Sequence, residues 1–273
     1  MTGSPYVLVI VAESVLVAHG LLAMWTVLSS GFNPRGFSFN LAQDRLYDIA
    51  EIIRDGAEDK PNEWRMYLQE WPISIDVYIT TYGEAIESIR NTVTAAVAMQ
   101  GKHDTYVLDD GRSDEVRDLA AELGGARYIR RLSSNGAKAG NINHAMSITK
   151  GDFFVIFDAD FVPKPNFLHE TVPFFSADDV AFVQTPQVYG NLHSVISKGA
   201  GYMQSVFYKF IQTGRNRFNA AFSVGTNVIY RRSAADSVGG HLLRLEVGGR
   251  VDVAHAAREG LADDLHPDRA RGG

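Results

Sequence analysis

The chain has 273 residues, no cysteine, and a formal net charge of −6 from 26 basic and 32 acidic side chains. With 45% hydrophobic and 21% charged residues it can bury a core, which excludes wholesale disorder and a protein made only of membrane spans. The negative balance argues against a nucleic-acid partner. The lack of cysteine excludes disulfide frameworks, cysteine nucleophiles and cysteine-ligated zinc.

The chain opens with an apolar segment, Tyr6–Leu28, which is long enough to cross a bilayer as a helix. Glu13 and His19 are its ionisable exceptions. Two alternatives are a buried helix and a cleaved signal peptide, but Met1–Pro5 lacks the basic residues of a signal peptide. Basic residues follow the segment and none precedes it. The positive-inside rule therefore predicts an inner (plasma) membrane anchor over residues 1–33, with the rest of the chain in the cytoplasm.

After the anchor, residues 34–72 carry apolar positions at helical spacing, which predicts an amphipathic juxtamembrane linker. From Ile73 onward, strand and helix patterns alternate. Strands are predicted at 73–80, 104–110, 126–131, 152–160 and 180–186, and helices at 84–99, 114–123, 138–149 and 165–175. This alternation predicts an α/β fold whose mostly parallel sheet is flanked by helices, with ligands at the carboxyl ends of the strands.

Two acidic pairs stand at predicted strand ends. Asp158 and Asp160 follow the apolar run FFVIF and can share a hard divalent cation such as Mg²⁺, which uses one or two carboxylates plus phosphate and water oxygens. An isolated pair of this kind is more often a solvated loop feature. Asp109 and Asp110 close an earlier strand, where the alternative interpretation is an Asp-rich turn. Two acidic strand ends on one sheet favour a site.

Other polar residues stand at similar places. Tyr82 can stack on a base and Glu84 can bond a sugar, although a glutamate at a helix start needs no function. Lys138 opens a helix, where its charge and the free N–H groups suit a diphosphate; the alternative is an ordinary exposed lysine. A dehydrogenase is disfavoured, because no G-x-G-x-x-G follows the first strand of the alternating region.

Taken in order, several segments resemble the catalytic domain of family 2 glycosyltransferases, in particular bacterial cellulose synthase catalytic subunits. They are TYGE, VLDDGRSDE, GARYIRR, KAGNINHAM, FDADFVP, FVQTPQVYGN and GRNRFNAAFSVGTNVIYRRSA, between about Ile73 and Gly240. The resemblance implies a GT-A fold, an inverting polymerase, a UDP-sugar donor and Mg²⁺ or Mn²⁺. It also implies a growing glycan acceptor, membrane lipid and accessory synthase subunits as partners.

The resemblance also implies roles for individual residues. Tyr82, Glu84, Asp109 and Asp110 would hold the uridine side, Lys138 the diphosphate, and Asp158 and Asp160 the metal and diphosphate, while Ser223, Val224, Gly225 and Thr226 would lie near the acceptor sugar. Gly83 departs from the pattern, since many relatives carry Asn or Asp there. UDP-glucose is the leading donor. UDP-N-acetylglucosamine, GDP-mannose and a non-catalytic nucleotide-sugar-binding membrane protein are the alternatives.

The end of the chain departs from the family pattern. Residues 241–273 contain no aromatic residue, and the acidic motif that would supply the general base does not appear. Reading permitted codons one nucleotide later gives Ser-Glu-Asp-Val-Trp-Thr across Val247–Val253, the missing motif at the expected distance. We therefore expect a frameshift after Gly240, in the organism or the assembly. It would leave an incomplete glycosyltransferase domain at 73–240, an aberrant, disordered tail at 241–273, and an inactive chain.

Overall fold

The computed structural model describes residues 4–31, 36–187, 195–218, 220–237 and 251–253. The chain divides into two compact units, one from residues 1–34 and 187–221, the other from residues 35–186 and 222–273. The helices are α1 Ser4–Leu28, α2 Gly36–Asp44, α3 Ile49–Arg54, α4 Ile86–Val97, α5 Asp114–Leu123, α6 Ala137–Ile148, α7 Phe167–Thr171, α8 Val195–Val206, α9 Thr213–Arg217 and α10 Arg232–Ser237. The strands are β1 Met66–Leu68, β2 Trp71–Ile73, β3 Ile75–Thr81, β4 Asp104–Asp109, β5 Ala126–Ile129, β6 Phe153–Asp158, β7 Phe182–Gln184, β8 Val228–Arg231 and β9 Val251–Val253.

The first unit contains α1 and a second helical stretch made of α8 and α9. Within α1, Tyr6–Leu28 is long and apolar enough to cross a membrane, and none of its most apolar stretch is buried. A π-helical turn, Phe207–Gln212, joins α8 to α9. Gly214 of α9 lies so close to α1 that a Cβ would overlap the carbonyl oxygen of Thr26. A glycine is needed there because the two backbones touch.

The second unit includes the predicted linker. Leu46 and Met66 are almost fully buried in the main core, and Phe39 of α2 packs on Phe174 with ring centroids 4.5 Å apart. The other half of the apolar pattern, Ile49 and Ile53 of α3, is exposed. Residues 36–73 therefore form an integral layer of this unit, with α2, α3 and the β1–β2 hairpin, rather than a separate linker.

The sheet has seven strands in the order β5-β4-β3-β6-β8-β7-β9. Strands β3 to β6 are parallel, β8 runs antiparallel to both β6 and β7, and β9 is parallel to β7. All seven residues of β3 are buried, as expected for a central strand covered on both faces. The predicted α/β fold with a mostly parallel sheet is confirmed.

The two faces of β3 enter different packing layers. Val77 and Ile79 belong to the main hydrophobic cluster, which also contains Ile89 and Val93 of α4. Tyr78 points the opposite way and stacks on Phe154 at 5.7 Å between ring centroids. This alternation follows from the two-residue period of a strand. The central strands are thereby held from both sides, which fixes the positions of their carboxyl ends.

The predicted strands and helices between 73 and 186 are all present, with ends that move by a few residues. The last predicted helix is shorter, because α7 ends at Thr171 and a 3-10 segment that contains Pro173, Val172–Ser176, follows it. In the tail, Val251–Val253 forms β9 beside β7, so the expected disorder does not fit these three residues. The remaining tail positions, 241–250 and 254–273, lie outside the described residues.

Candidate donor-nucleotide and metal site

The sheet register brings the predicted polar residues to one edge. Thr81 at the end of β3 pairs with Asp109 at the end of β4, and Thr80 pairs with Asp158 at the end of β6. Since all three strands are parallel, their carboxyl ends open on the same side. The structure therefore brings together the acidic strand ends that the sequence predicts as a site.

The Asp109 carboxylate is buried and accepts its hydrogen bonds from groups of the protein. It is 1% exposed and accepts hydrogen bonds from Thr81 Oγ1 (3.3 Å), the backbone N–H groups of Arg112 (3.0 Å) and Ser113 (2.7 Å), and the Tyr128 hydroxyl (2.7 Å). Burial, followed by the Asp109 hydrogen bond, raises the pKa of Tyr128 to about 12. Asp109 thus holds the loop after β4 and the start of α5 in place.

Asp110 is held by a buried arginine. Arg131 donates from Nε and Nη2 to the two carboxylate oxygens of Asp110, both at 2.6 Å, and both side chains are less than a tenth exposed. The backbone N–H of Asp110 also donates to Thr81 at 3.0 Å. A bidentate pair of this kind fixes orientation as well as charge. The loop between β4 and α5 is therefore anchored through both aspartates.

The loop after β3 is open. Tyr82 is 73% exposed, and its backbone N–H donates to the Glu84 carboxylate at 2.6 Å. Gly83 has φ +95°, a conformation that favours glycine. A Cβ added to Gly111 would lie 3.3 Å from the backbone nitrogen of Gly83. The two loops approach each other through glycines. An exposed ring beside this gap can stack on a planar base.

Lys138 and Asp158 form an ion pair at the same edge. Lys138 is the second residue of α6, and its ammonium bonds Asp158 Oδ1, which also accepts from Thr80 Oγ1 at 3.3 Å. The two side chains are 39% and 40% exposed, so a ligand can reach both. Asp160, two residues further along, is exposed. The structure therefore brings Lys138 to Asp158, the first member of the acidic pair.

The donor set fits a divalent cation shared with a substrate. Among the described residues, no cluster of three His, Asp or Glu side chains could hold a metal by itself. Asp158 and Asp160 supply one or two carboxylates, which is the usual protein share for Mg²⁺ when phosphate and water oxygens fill the remaining positions. The residues present fit Mg²⁺ or Mn²⁺ bound together with a phosphate ligand.

The predicted acceptor segment, Ser223–Thr226, is tied to the end of β6. Thr226 Oγ1 accepts from the backbone N–H of Asp158 at 3.0 Å, and Ser223 Oγ accepts from Tyr230 at 2.6 Å and from the Gly225 N–H at 3.0 Å. Gly225 has φ +81° and Val224 is 36% exposed. Ser223 and Thr226 therefore fix the loop, and it presents backbone and Val224 towards the outside.

Two further polar residues organise the site, and the sequence did not single them out. Gln184 is fully buried; its Oε1 accepts from the Val224 N–H at 2.9 Å, and its Nε2 donates to the Thr226 carbonyl at 2.9 Å. Arg131 holds the Asp110 carboxylate in a similar way, through two hydrogen bonds. Gln184 ends the buried strand β7, which was the available signal for it, whereas Arg131 lies two residues after β5 and carried no such signal. Their partners are distant in sequence, so the pairing is visible only in the fold.

Comparison with known proteins agrees with this geometry. The family model described as "Glycosyl transferase family 2" matches residues 76–239. The chain is 36% identical over 186 residues to "Cellulose synthase catalytic subunit [UDP-forming]" of Pseudomonas fluorescens (strain SBW25), covering 63% of this chain and 24% of that protein. It is 37% identical over 180 residues to "Cellulose synthase 2" of Novacetimonas hansenii, covering 63% of this chain and 11% of that protein.

A solved structure shows the same fold. The mannosyltransferase PcManGT from Pyrobaculum calidifontis, solved with GDP-Man and Mn²⁺, superposes with a TM-score of 0.51 at 14% identity, over 85% of this chain and 66% of that one. The chain thus has a GT-A fold and spans between about a tenth and a quarter of the length of the cellulose synthases above. On the family match and the relatives together, this chain belongs to glycosyl transferase family 2.

Proposed function

We propose that this chain is the donor-binding part of a membrane-bound, inverting glycosyltransferase that builds a β-glycan from a UDP-sugar, with UDP-glucose as the donor. One observation carries the proposal: Lys138 pairs with Asp158 at the sheet edge where β3 and β4 also end, and the exposed Asp160 follows two residues later. The similarity of the chain to cellulose synthase catalytic subunits named as UDP-forming supports a UDP-sugar donor rather than a GDP-sugar donor.

The residues divide the donor between them. Tyr82 stacks on the base, Glu84 bonds the ribose, and the loop that Asp109 and Asp110 hold borders the uridine. Lys138 and the N-terminus of α6 meet the diphosphate, where a cation and free N–H groups stabilise negative charge. A divalent cation on Asp158 and Asp160 would supply further charge neutralisation when bound. The negative charge on the leaving diphosphate is thus balanced at the site where it forms.

Ser223, Val224, Gly225 and Thr226 face the acceptor in this proposal. Thr226 accepts a hydrogen bond from Asp158, so the loop position depends on the strand that carries the metal ligands. Such coupling keeps the donor and the acceptor hydroxyl in reacting geometry, which can contribute a large part of a rate enhancement. The growing glycan is therefore the second substrate.

Membrane association is the second part of the proposal. The helix Tyr6–Leu28 fits a bilayer span, and the basic residues that follow it favour a cytoplasmic catalytic unit at the inner membrane. Lipid is then a partner. Accessory synthase subunits are further proposed partners, and this chain would then be one part of a larger assembly.

We further propose that these 273 residues alone transfer no sugar. Inversion needs a base within reach of the acceptor hydroxyl, and the acidic motif that would supply it has no counterpart in residues 241–273. Loss of a positioned base costs about 10²–10⁴-fold in rate. Membranes carrying this chain should incorporate no labelled glucose from UDP-glucose, whereas a version with the reading frame restored should do so. Equal synthesis by both would refute the inactivity.

The donor identity has its own test. The chain in detergent is heated with Mn²⁺ and, in turn, UDP-glucose, UDP-N-acetylglucosamine and GDP-mannose. A ligand that binds only the folded state raises the melting temperature with its affinity. The largest shift is expected for UDP-glucose. A larger shift with GDP-mannose would replace the UDP assignment, and no shift with any of them would refute the donor site.

A further inference from the structure

Arg131 lies two residues after β5 and makes a hub of four hydrogen bonds. Besides its two bonds to Asp110, it donates from Nη1 to the carbonyl of Asn135 at 2.6 Å and from Nη2 to the carbonyl of Ala137 at 2.8 Å. The residue is 9% exposed. The bonds to Asp110 raise the pKa of Arg131, which keeps the guanidinium charged. A lysine could not make this set, because only the planar fork offers several donors in fixed directions.

The groups that Arg131 joins belong to the two ends of the donor site. Asp110 directly follows β4 and belongs to the loop that borders the proposed uridine site, whereas Ala137 directly precedes Lys138. The backbone between them is unusual: Gly136 has φ +76° and Ala137 has φ +45°, in the left-handed region where a residue with a Cβ is disfavoured. Such a conformation persists only where surrounding contacts hold it. The Arg131 bonds to both flanking carbonyls provide those contacts.

Gly140 gives an independent indication of the same arrangement. A Cβ on Gly140 would overlap the carbonyl oxygen of Asn135 and lie 2.6 Å from Nη1 of Arg131. The first turn of α6 therefore packs directly on the arginine and on the carbonyl that it binds. Only glycine allows this approach, so the position of Lys138 is set by the same contacts.

We propose that Arg131 is a positioning residue that sets the place of Lys138 and of the α6 N-terminus, and through them the affinity for the donor diphosphate. Its charge is neutralised by Asp110, so it acts through geometry rather than through direct attraction of the ligand. The inference rests on the proposed role of Lys138 at the diphosphate. It adds a residue that touches neither the metal ligands nor the exposed part of the site.

The test separates diphosphate binding from nucleoside binding. Arg131→Lys keeps a cation opposite Asp110 but cannot also bridge both carbonyls. Gly140→Ala disturbs the same contacts without changing any charge. For each full-length variant in detergent, well below its melting temperature, UDP with Mn²⁺ is titrated by calorimetry and uridine by saturation-transfer NMR. We expect UDP to bind about tenfold more weakly. Uridine binding should change less than about threefold, because Asp110 keeps its backbone bond to Thr81 in both variants and a cation opposite it in Arg131→Lys, whereas the contacts to the start of α6 are disturbed.

The matched control is Arg112→Lys. Arg112 donates to the Leu132 carbonyl (2.9 Å) and Ser134 Oγ (3.4 Å) of the same loop from the exposed side, and its side chain is not bonded to Asp110. This variant should keep both affinities within about twofold, because a screened surface contact contributes little. This control shows whether a general loosening of the loop is enough to weaken UDP binding.

Each outcome has one meaning. Unchanged UDP binding in both Arg131→Lys and Gly140→Ala, while Lys138→Met weakens it, overturns the inference and leaves the donor site standing. Equal losses for uridine and UDP, or a loss as large in Arg112→Lys, also overturn it, because they indicate a merely structural role. A wild-type chain that does not bind UDP overturns the donor site and the inference together.

Discussion

Replacing Lys138 by methionine should move two affinities in opposite directions. Methionine keeps an unbranched side chain but removes the ammonium that bonds Asp158 Oδ1. In the donor-free protein this ammonium is paired with the carboxylate to which a metal would bind. With UDP present, the same ammonium is free to meet the diphosphate. Removing the Lys138 ammonium should therefore strengthen metal binding and weaken nucleotide binding.

The magnitudes follow from the exposure of the pair. Side chains about 40% exposed form a solvent-screened ion pair of roughly 0.5–1 kcal/mol, so Mn²⁺ alone should bind about two- to fivefold more tightly to the variant. A charge-assisted hydrogen bond contributes about 1.5–3 kcal/mol, which partial exposure reduces to about 1–2 kcal/mol. UDP with Mn²⁺ should therefore bind about five- to thirtyfold more weakly.

The assay is calorimetry of Mn²⁺ alone and of UDP with saturating Mn²⁺, on the full chain in detergent. Lys150→Met is the control, because Lys150 is an exposed lysine outside the site and loses the same charge. It should leave both affinities within about twofold. UDP binding that Lys138→Met leaves unchanged, or Mn²⁺ binding that it weakens, would refute the assignment of Lys138 to the diphosphate.

Three other predictions follow from the same structure. Asp158→Asn and Asp160→Asn should abolish metal-dependent UDP binding while the melting temperature changes little, and unchanged calorimetric affinity in both would remove the pair from the site. Burial raises the pKa of Tyr78 to about 12, so its neutral form contributes stability that is fully present below pH 10 and is lost, by up to about 3 kcal/mol, as the pH rises from 10 through 12. Urea unfolding of Tyr78→Phe should show a smaller alkaline loss than the wild type, and identical slopes would contradict this. Finally, Tyr6–Leu28 should take the chain into the membrane fraction, with residues after 35 resistant to protease added outside intact cells; a fully soluble chain would refute the anchor.

The sequence predicted the sheet well because its strands are short apolar runs with polar ends. The run FFVIF before Asp158 is such a case, and β6 ends at that residue. Parallel strands in one sheet place their carboxyl ends together whatever the packing details, so the acidic pairs could be assigned to one edge before their distances were known.

The partners of the acidic residues could not be predicted in the same way. Asp109 and Asp110 suggest two free carboxylates in the sequence, yet one accepts four hydrogen bonds from the protein and the other is paired with Arg131. The bonds from Thr81 and Tyr128 to Asp109, and from Arg131 to Asp110, depend on which strands become neighbours. Gln184 is a further example, since its bonds reach residues about 40 positions away.

The unit boundaries were also hidden from the sequence. Residues 187–221 continue the glycosyltransferase pattern along the chain, but they form one compact unit with α1. The close approach of Gly214 to Thr26 joins segments separated by almost 190 positions. Conversely, an amphipathic pattern at 34–72 was compatible with a membrane surface, and the buried Leu46 and Met66 place that segment in the main core.

We infer a metal-dependent nucleotide-sugar site at the carboxyl edge of the sheet. The most direct measurement is a calorimetric titration of UDP-glucose into the full chain in detergent, once with Mn²⁺ and once with the metal chelated. Binding with Mn²⁺, its loss on chelation, and its loss in Asp158→Asn are the results we predict. Absence of binding with Mn²⁺, or binding that is unchanged by chelation and by Asp158→Asn, would contradict the account.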